Sequence, residues 1–312
     1  MSVLFVFVDG VGVGARDPEV NPLARGEWLL SRFAGGEGAA LPRRGRAVAA
    51  DATLGVPGRP QSATGQATLL TGENAPRAIG RHQLGFPGAP LRALIAARSL
   101  FRELAAAGRT ALFANAYPRA YLQALGLWPG PALPLPGRRR ARPAAAVVAW
   151  AAAAGRFRTW EDARDGRGLT HDLTGVRANG FGAGLPPRSP EQAAEILLRL
   201  SSGHDLSVFE FFETDEAGHA RSMPQALEVL ERLDRFLRTL VAGLGPEDSL
   251  VVASDHGNLE DLRTRNHTLA PVPVLGFGPA AGRLEGVRDL TDVAPLLLQL
   301  AGVDGVRPSA DG

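Results

Sequence analysis

Four short apolar runs stand out along the chain: Val3 to Val8, Leu206 to Phe212, Ser249 to Ser254 and Val272 to Phe277, each bounded by polar or turn-forming residues. Continuous runs of this length are the pattern of strands covered on both faces, so all four are predicted to be buried parallel strands. Thr110 to Asn115 is a weaker fifth. Helix-like segments lie between them: Leu91 to Ala107, Pro190 to Leu200 capped by Ser189, Met223 to Leu244, and Thr291 to Ala301 with Asp292 in its first turn. Strands alternating with helices predict an α/β fold, a doubly wound, mostly parallel sheet flanked by helices.

One stretch breaks this rhythm. From Pro118 to Pro187, clustered Pro, Gly and Arg give way to a small-residue helix and then to glycine-rich polar sequence. It is expected to be a small inserted cap subdomain, residues 118–187, set into a core of residues 1–117 and 188–312. No internal repeat recurs at periods of about 20 to 50 residues.

Composition narrows the chemistry. With 312 residues and 45% hydrophobic content, the chain is long enough for one large domain and an insertion. The pI is about 9.8 although the formal net charge is only +2, because all 34 basic residues are arginine. The arginines are dispersed, apart from Arg138, Arg139, Arg140 and Arg142 in a proline-flanked stretch read as a solvated loop, so no nucleic-acid partner is expected. Cysteine is absent, which excludes disulfides, thiolate metal sites and a cysteine nucleophile. The first apolar run has no basic leader or cleavage site, and the Ala-rich stretch Ala144 to Ala154 is too short to span a bilayer. A soluble, cytoplasmic protein without a membrane partner is the expectation.

Ligands of an open parallel sheet gather at the carboxyl ends of its strands, and acids stand there. Asp9 follows the first run, Asp215 closely follows the second, and Asp255-His256 follows the third. Any one of these acids alone would be read as a cap or turn residue; three together, two with a histidine at short spacing, point to a metal centre. Asp215 and His219 are four apart, so one helical turn or a tight loop brings both to one ion, and Gly218 permits close backbone approach. Asp255 and His256 can serve one ion if the backbone turns, or be divided between two. His267 supplies a further nitrogen. Imidazoles and carboxylates without sulfur suit Zn or Mn, and the carboxylate-heavy half of the site tilts the choice towards Mn; two such ions can clamp the attacking and leaving oxygens of a phosphoryl displacement. The stretch Pro60 to Gly72 places hydroxyls ahead of a helix. Ser62 or Thr64 is there either the nucleophile, with helix N-terminal amides holding a phosphoryl oxygen, or an ordinary N-cap.

In combination and order, Val8-Asp9-Gly10, Gln61-Ser62-Ala63-Thr64-Gly65, Asp215-Glu216-Ala217-Gly218-His219, Ser254-Asp255-His256-Gly257-Asn258, and His267-Thr268 followed by Pro271-Val272-Pro273 resemble the alkaline phosphatase superfamily metalloenzymes. Within that superfamily the resemblance is to cofactor-independent phosphoglycerate mutase and phosphopentomutase, over roughly residues 1 to 117 and 188 to 312. It implies that Ser62 takes the phosphoryl group and binds the ion held by Asp9, Asp255 and His256, while Asp215, His219 and His267 hold a second ion. Leu290 to Pro295 resembles the family's final, structural helix.

The departures carry functional weight. The mutases have Gly-His after the nucleophile motif where this chain has Gly65-Gln66, so a substrate contact is expected to be missing. The insertion is shorter, which would expose a phosphoenzyme to water. The expected activity is therefore a two-metal phosphohydrolase, a phosphatase or phosphodiesterase, acting on a small phosphorylated substrate through a phosphoserine. The alternatives are a phosphomutase with the same core residues and a non-catalytic metal-binding module, whose mark would be a lost ligand or nucleophile. A sulfatase is disfavoured because Thr64 and Gln66 occupy the Pro and Arg positions of its motif. Thr64, Arg81, His82 and, from the insert, His171 are the candidate substrate contacts; His204 is assigned nothing. The sequence gives no signal of oligomeric state.

Overall fold

The computed structural model describes residues 1–36, 38–130 and 141–303. Its strands are β1 (Val3–Val8), β2 (Arg46–Ala50), β3 (Ala111–Phe113), β4 (Ala116–Tyr117), β5 (Arg158–Thr159), β6 (Leu206–Phe211), β7 (Ser249–Ser254) and β8 (Val272–Phe277). The helices begin with α1 (Ser62–Thr71), α2 (Ala75–Ile79), α3 (Ala89–Arg98), α4 (Leu100–Ala106), α5 (Arg119–Ala124) and α6 (Ala145–Ala152). They continue with α7 (Trp160–Arg164), α8 (Val176–Gly180), α9 (Pro190–Ser201), α10 (Glu213–Ala220), α11 (Met223–Gly243) and α12 (Val293–Leu300).

Six strands form the main sheet in the order β2-β8-β7-β1-β6-β3, with β7, β1, β6 and β3 mutually parallel. The expectation of a parallel strand at Val272 to Phe277 is corrected: β8 is antiparallel to both β7 and β2. The reason is local. Between β7 and β8 no helix carries the chain back across the sheet, so residues 255–271 stay at the carboxyl edge and β8 must start there. The half-exposed edge strand β2 lacks the apolar continuity of the others and was not anticipated.

Alternate residues of β1 enter two cores. Val3, Phe5 and Phe7 pack with residues of α1, α3, α4, α6 and α12, while Leu4, Val6 and Val8 pack with those of α9 and α11. On α11, Ala226, Val229, Leu230, Leu233, Leu237 and Leu240 recur at helical spacing, giving one apolar stripe against the sheet. Ser189 caps α9 in a reciprocal capping box with Gln192. The single helix expected over Leu91 to Ala107 is two helices, because Ser99 is extended (φ −67°, ψ 143°) and buried against α6, its hydroxyl 3.5 Å from Ala149 O.

The segment expected as an insert has two environments. Trp150 of α6 packs edge-on against Phe101 at 4.9 Å and belongs to the main core. Ala163, Ala178, Ala183 and Leu185, around α7 and α8, form a small separate cluster with Ala116. Of the arginine run, Arg142 alone falls within the described residues, where it is exposed; Arg138, Arg139 and Arg140 lie outside them. Among the described residues no helix is long and apolar enough to cross a membrane.

Phe209 of β6 is fully buried, 5.5 Å from the ring of Phe236 on α11, and so ties the sheet to its longest helix. Phe209→Ala is expected to lower unfolding stability by about 3–5 kcal/mol in a denaturant titration; a loss below about 1 kcal/mol would show that this contact is not part of a close-packed core.

Candidate metal centre and active site

Strand register assembles the site. Val8 pairs with Phe211 on one side and Ser254 on the other, so the three parallel strands end level and the residues beyond them emerge together. Asp9 follows β1, Phe212 opens α10, and Asp255 follows β7. Gly10 then turns the chain with φ +72°, a conformation favouring glycine, and a Cβ there would lie 2.6 Å from Asp215 Oδ1.

Asp215 and His219 share one face of α10, with Oδ2 and Nε2 3.2 Å apart. His267 Nε2 is 3.6 Å from Asp215 Oδ1 and 3.3 Å from His219 Nε2. His256 Nε2 sits 3.2 Å from Asp9 Oδ1 and 3.5 Å from Asp255 Oδ2. The His256 and His267 rings stack at 3.6 Å, joining the two halves. The Nδ1 atoms of His219 and His267 face the carbonyls of Arg265 and Pro60 at 2.7 and 3.0 Å, which leaves Nε2 of each for the centre. Asp9, Asp255 and His256 form one group able to hold a cation and Asp215, His256 and His267 another, each with ligand atoms within 4.8 Å. His256 is thus shared, and His219 stands beside the second group.

Ser62 is the first residue of α1, and its Oγ is 3.0 Å from His256 Nε2. Gly65 allows α1 to press against the end of β7, since a Cβ there would be 2.6 Å from Asp255 O. One turn beyond Ser62, Gln66 donates from Nε2 to Asp9 Oδ2 at 3.1 Å. The position at which a substrate contact was expected to be missing therefore holds a residue that orients a metal-facing acid.

The four candidate substrate contacts separate. His171 lines a cavity of about 960 Å³ above Asp9, Ser62 and Asp215. Thr64 is fully buried, its hydroxyl donating to Gln61 O at 3.1 Å, and does not line that cavity. Arg81 is exposed and His82 faces Val56 O at 3.2 Å; neither lines it. Residues not singled out from sequence do: Glu210, Tyr117, Tyr121, Phe212 and Arg177. Glu210 had a signal, an acid inside an apolar strand. Burial, with Asp255 nearby, raises its carboxyl to about 7, and its Oε2 has no hydrogen-bond partner.

A family model described as the Metalloenzyme superfamily matches residues 186–305. The 2,3-bisphosphoglycerate-independent phosphoglycerate mutase of Paracoccus denitrificans is 37% identical over 125 residues, 37% of this chain and 24% of the relative. Its counterpart in Halobacterium salinarum is 34% identical over 130 residues, 38% of this chain and 26% of the relative. The matches span about a quarter of those relatives' length. Among solved structures, the PH0037 protein from Pyrococcus horikoshii superposes with TM-score 0.56 at 14% identity, covering 98% of both chains. Alkaline phosphatase from the Antarctic bacterium TAB5 superposes with TM-score 0.54 at 11% identity, covering 96% of this chain and 97% of that one, a likeness of fold.

Over residues 186–305 the chain matches the Metalloenzyme superfamily, and its fold as a whole is alkaline phosphatase-like.

The residues of this site fit a divalent cation. Asp9 Oδ1 and Asp255 Oδ2, the oxygens facing His256, are buried without a hydrogen-bond partner. Burial, then the charges of Asp255 and Asp215, raise the Asp9 carboxyl well above its ordinary value; burial likewise raises Asp255, against the opposing pull of His256. Burial lowers His256 but the surrounding acids, Asp255 first, outweigh it and bring the imidazole to about 10. Asp215 moves the other way, since bonds from His219 and Asn258 and the nearby His256 overcome burial and hold it at about 2. A cation among these oxygens supplies the compensation that protons otherwise provide.

Two outcomes follow for metal binding. Added Mn or Zn is expected to raise the melting temperature of the metal-free protein, and Asp255→Asn to remove most of that rise. Gln66→Leu, which frees Asp9 Oδ2, should weaken binding about 10–100-fold in a calorimetric titration; affinity within about twofold of the unsubstituted protein would exclude an orienting role for Gln66.

Proposed function

We propose that this metalloenzyme moves a phosphoryl group from a small phosphorylated substrate to Ser62, with two divalent cations, Mn or Zn, held by Asp9, Asp255, His256, Asp215, His219 and His267. The observation that carries the reading is the position of Ser62 Oγ, 3.0 Å from His256 Nε2 at the N-terminus of a ten-residue helix. The cations, when bound, supply Lewis-acid charge neutralisation for the entering and leaving oxygens. The protein supplies placement. The first intrahelical bond of α1 runs from Gly65 N–H to Gln61 O, so the amides before it remain for a phosphoryl oxygen. Gln66 holds Asp9, and Asn258 holds Asp215 through Nδ2 at 2.6 Å.

The acceptor of the second transfer distinguishes two readings. Return to another oxygen of the same substrate, a phosphomutase, is favoured by the names of the sequence relatives. Transfer to water, a phosphohydrolase, is favoured by the charges of the cavity's described lining: of the two arginines among those residues, Arg177 is bound to Glu216. Beyond the metal centre and the amides of α1, an intermediate that must stay while it turns meets few free cations among the described lining residues.

Ser62→Ala is expected to lower turnover of a phosphomonoester by about 10³-fold or more while metal binding persists. Mass spectrometry of the quenched, metal-loaded protein should find phosphate on the Ser62 peptide. Turnover within tenfold of the unsubstituted protein would remove Ser62 as nucleophile. In the same assay, an isomeric ester identifies the mutase and free phosphate the hydrolase.

A further inference from the structure

One wall of the cavity is an unbroken aromatic row. Tyr121 stacks on Tyr117, centroids 5.4 Å apart and planes 19° apart; Tyr117 meets His171 edge-on at 5.1 Å; His171 meets Phe212 at 4.9 Å. All four line the cavity, and Phe212 is the residue from which α10 carries Asp215 into the metal centre. The row therefore leads from the outer segment to the phosphoryl-transfer site. It is also braced. The Tyr121 hydroxyl donates to Arg142 O at 2.9 Å, and the Arg177 guanidinium lies 5.1 Å above Phe212.

Tyr121 and Phe212 remain half-buried. Aromatic surface left open to water forgoes the stabilisation of burial, and a flat ligand restores it. The charged lining points the same way. Glu210 and Glu216 present acids, Arg177 is occupied by Glu216, and Arg142 lies 4.7 Å above the Phe86 ring. Among the described lining residues, a substrate carrying a carboxylate or second phosphate beyond the reacting one meets more acid than free cation. An uncharged ring meets neither penalty.

Resting on the phosphoryl-transfer reading, we propose that the substrate is a phosphate monoester whose alcohol portion carries a planar aromatic ring, and that Tyr121, Tyr117, His171 and Phe212 form its specificity wall. An aryl group and a nucleobase share this chemistry, and matched pairs of esters distinguish them.

The test is calorimetric binding to metal-loaded Ser62→Ala protein. Benzyl phosphate is compared with ethyl phosphate, and adenosine 5′-monophosphate with ribose 5-phosphate; each pair keeps the phosphate on a primary alcohol and changes the ring. The ring-bearing member of at least one pair should bind about tenfold or more tightly, and the favoured pair tells aryl group from nucleobase. Adding Tyr121→Ala or Phe212→Leu should narrow that ratio towards one. Equal affinity within both pairs, or tighter binding of 3-phosphoglycerate than of either ring-bearing ester, overturns the inference without any further variant. Turnover of the same esters by the unsubstituted protein keeps the two readings apart. Phosphate transfer without ring preference in binding leaves phosphoryl transfer standing and removes the aromatic wall. Ring-selective binding with no transfer from any ester supports the wall and removes the transfer reading.

Discussion

Two carboxylates, Asp9 and Asp255, are buried side by side at the ends of adjacent strands, and their facing oxygens have no hydrogen-bond partner. Like charges so placed repel strongly in a low-dielectric interior, so the arrangement persists only where the fold over-determines it and a cation or proton neutralises it. The fold does so through register. Because β6, β1 and β7 are parallel and end level, a single short residue step beyond each strand brings the acids together. Core packing on both sheet faces holds that register, since a one-residue slip would exchange the two sets of buried side chains.

The loop after β7 is the second consequence. It must present His256 and His267 to the acids while turning the chain through the carboxyl edge, and Glu260 organises it. That buried carboxylate accepts N–H bonds from Gly12 and Asn258, each at 2.8 Å, and the Thr268 hydroxyl. Gly14 gives it room, since a Cβ there would lie 2.8 Å from Glu260 Cγ. One acid therefore joins the loop after β1 to both ends of the loop carrying the histidines. The antiparallel course of β8 belongs to the same solution, because a crossover helix would have drawn His267 away from the edge.

Much of this was legible in sequence, and for a physical reason. Strands buried on both faces are written as continuous apolar runs, and acids following such runs fall at one sheet edge whatever the loops do. The direction of β8 was not legible, because it depends on the path of the preceding loop. The edge strand β2 carries a weak pattern because it is half exposed, and the break at Ser99 depends on its contact with α6, remote in sequence. Thr64 shows the limit at the site itself. Ser62 and Gln66 are one helical turn apart and share a face, whereas Thr64, two residues on from Ser62, points away from both. Arg81 and His82 follow Ser62 closely in sequence but do not line the cavity. Tyr117, Tyr121 and Arg177 had no local signal, since they come from the segment whose pattern was least regular.

The division between the centre and its wall bears on how such a chain acquires a function. Ser62, Gln66 and the acids and histidines beside them sit on α1, α10, the strand ends and the loop after β7, which are tied into the main core or to its edge. Of the aromatic row, Tyr117, Tyr121 and His171, with Arg177 bracing Phe212, come from residues 117–177, part of which packs on a small cluster of its own around Ala163 and Leu185. Substitutions in this segment can change the cavity lining without disturbing the centre beneath it. The lining of the cavity can therefore vary while the acids and histidines beneath it stay fixed. At the position where a substrate contact was expected to be missing, Gln66 lines the cavity and donates to Asp9, so it is tied to the centre from the cavity side.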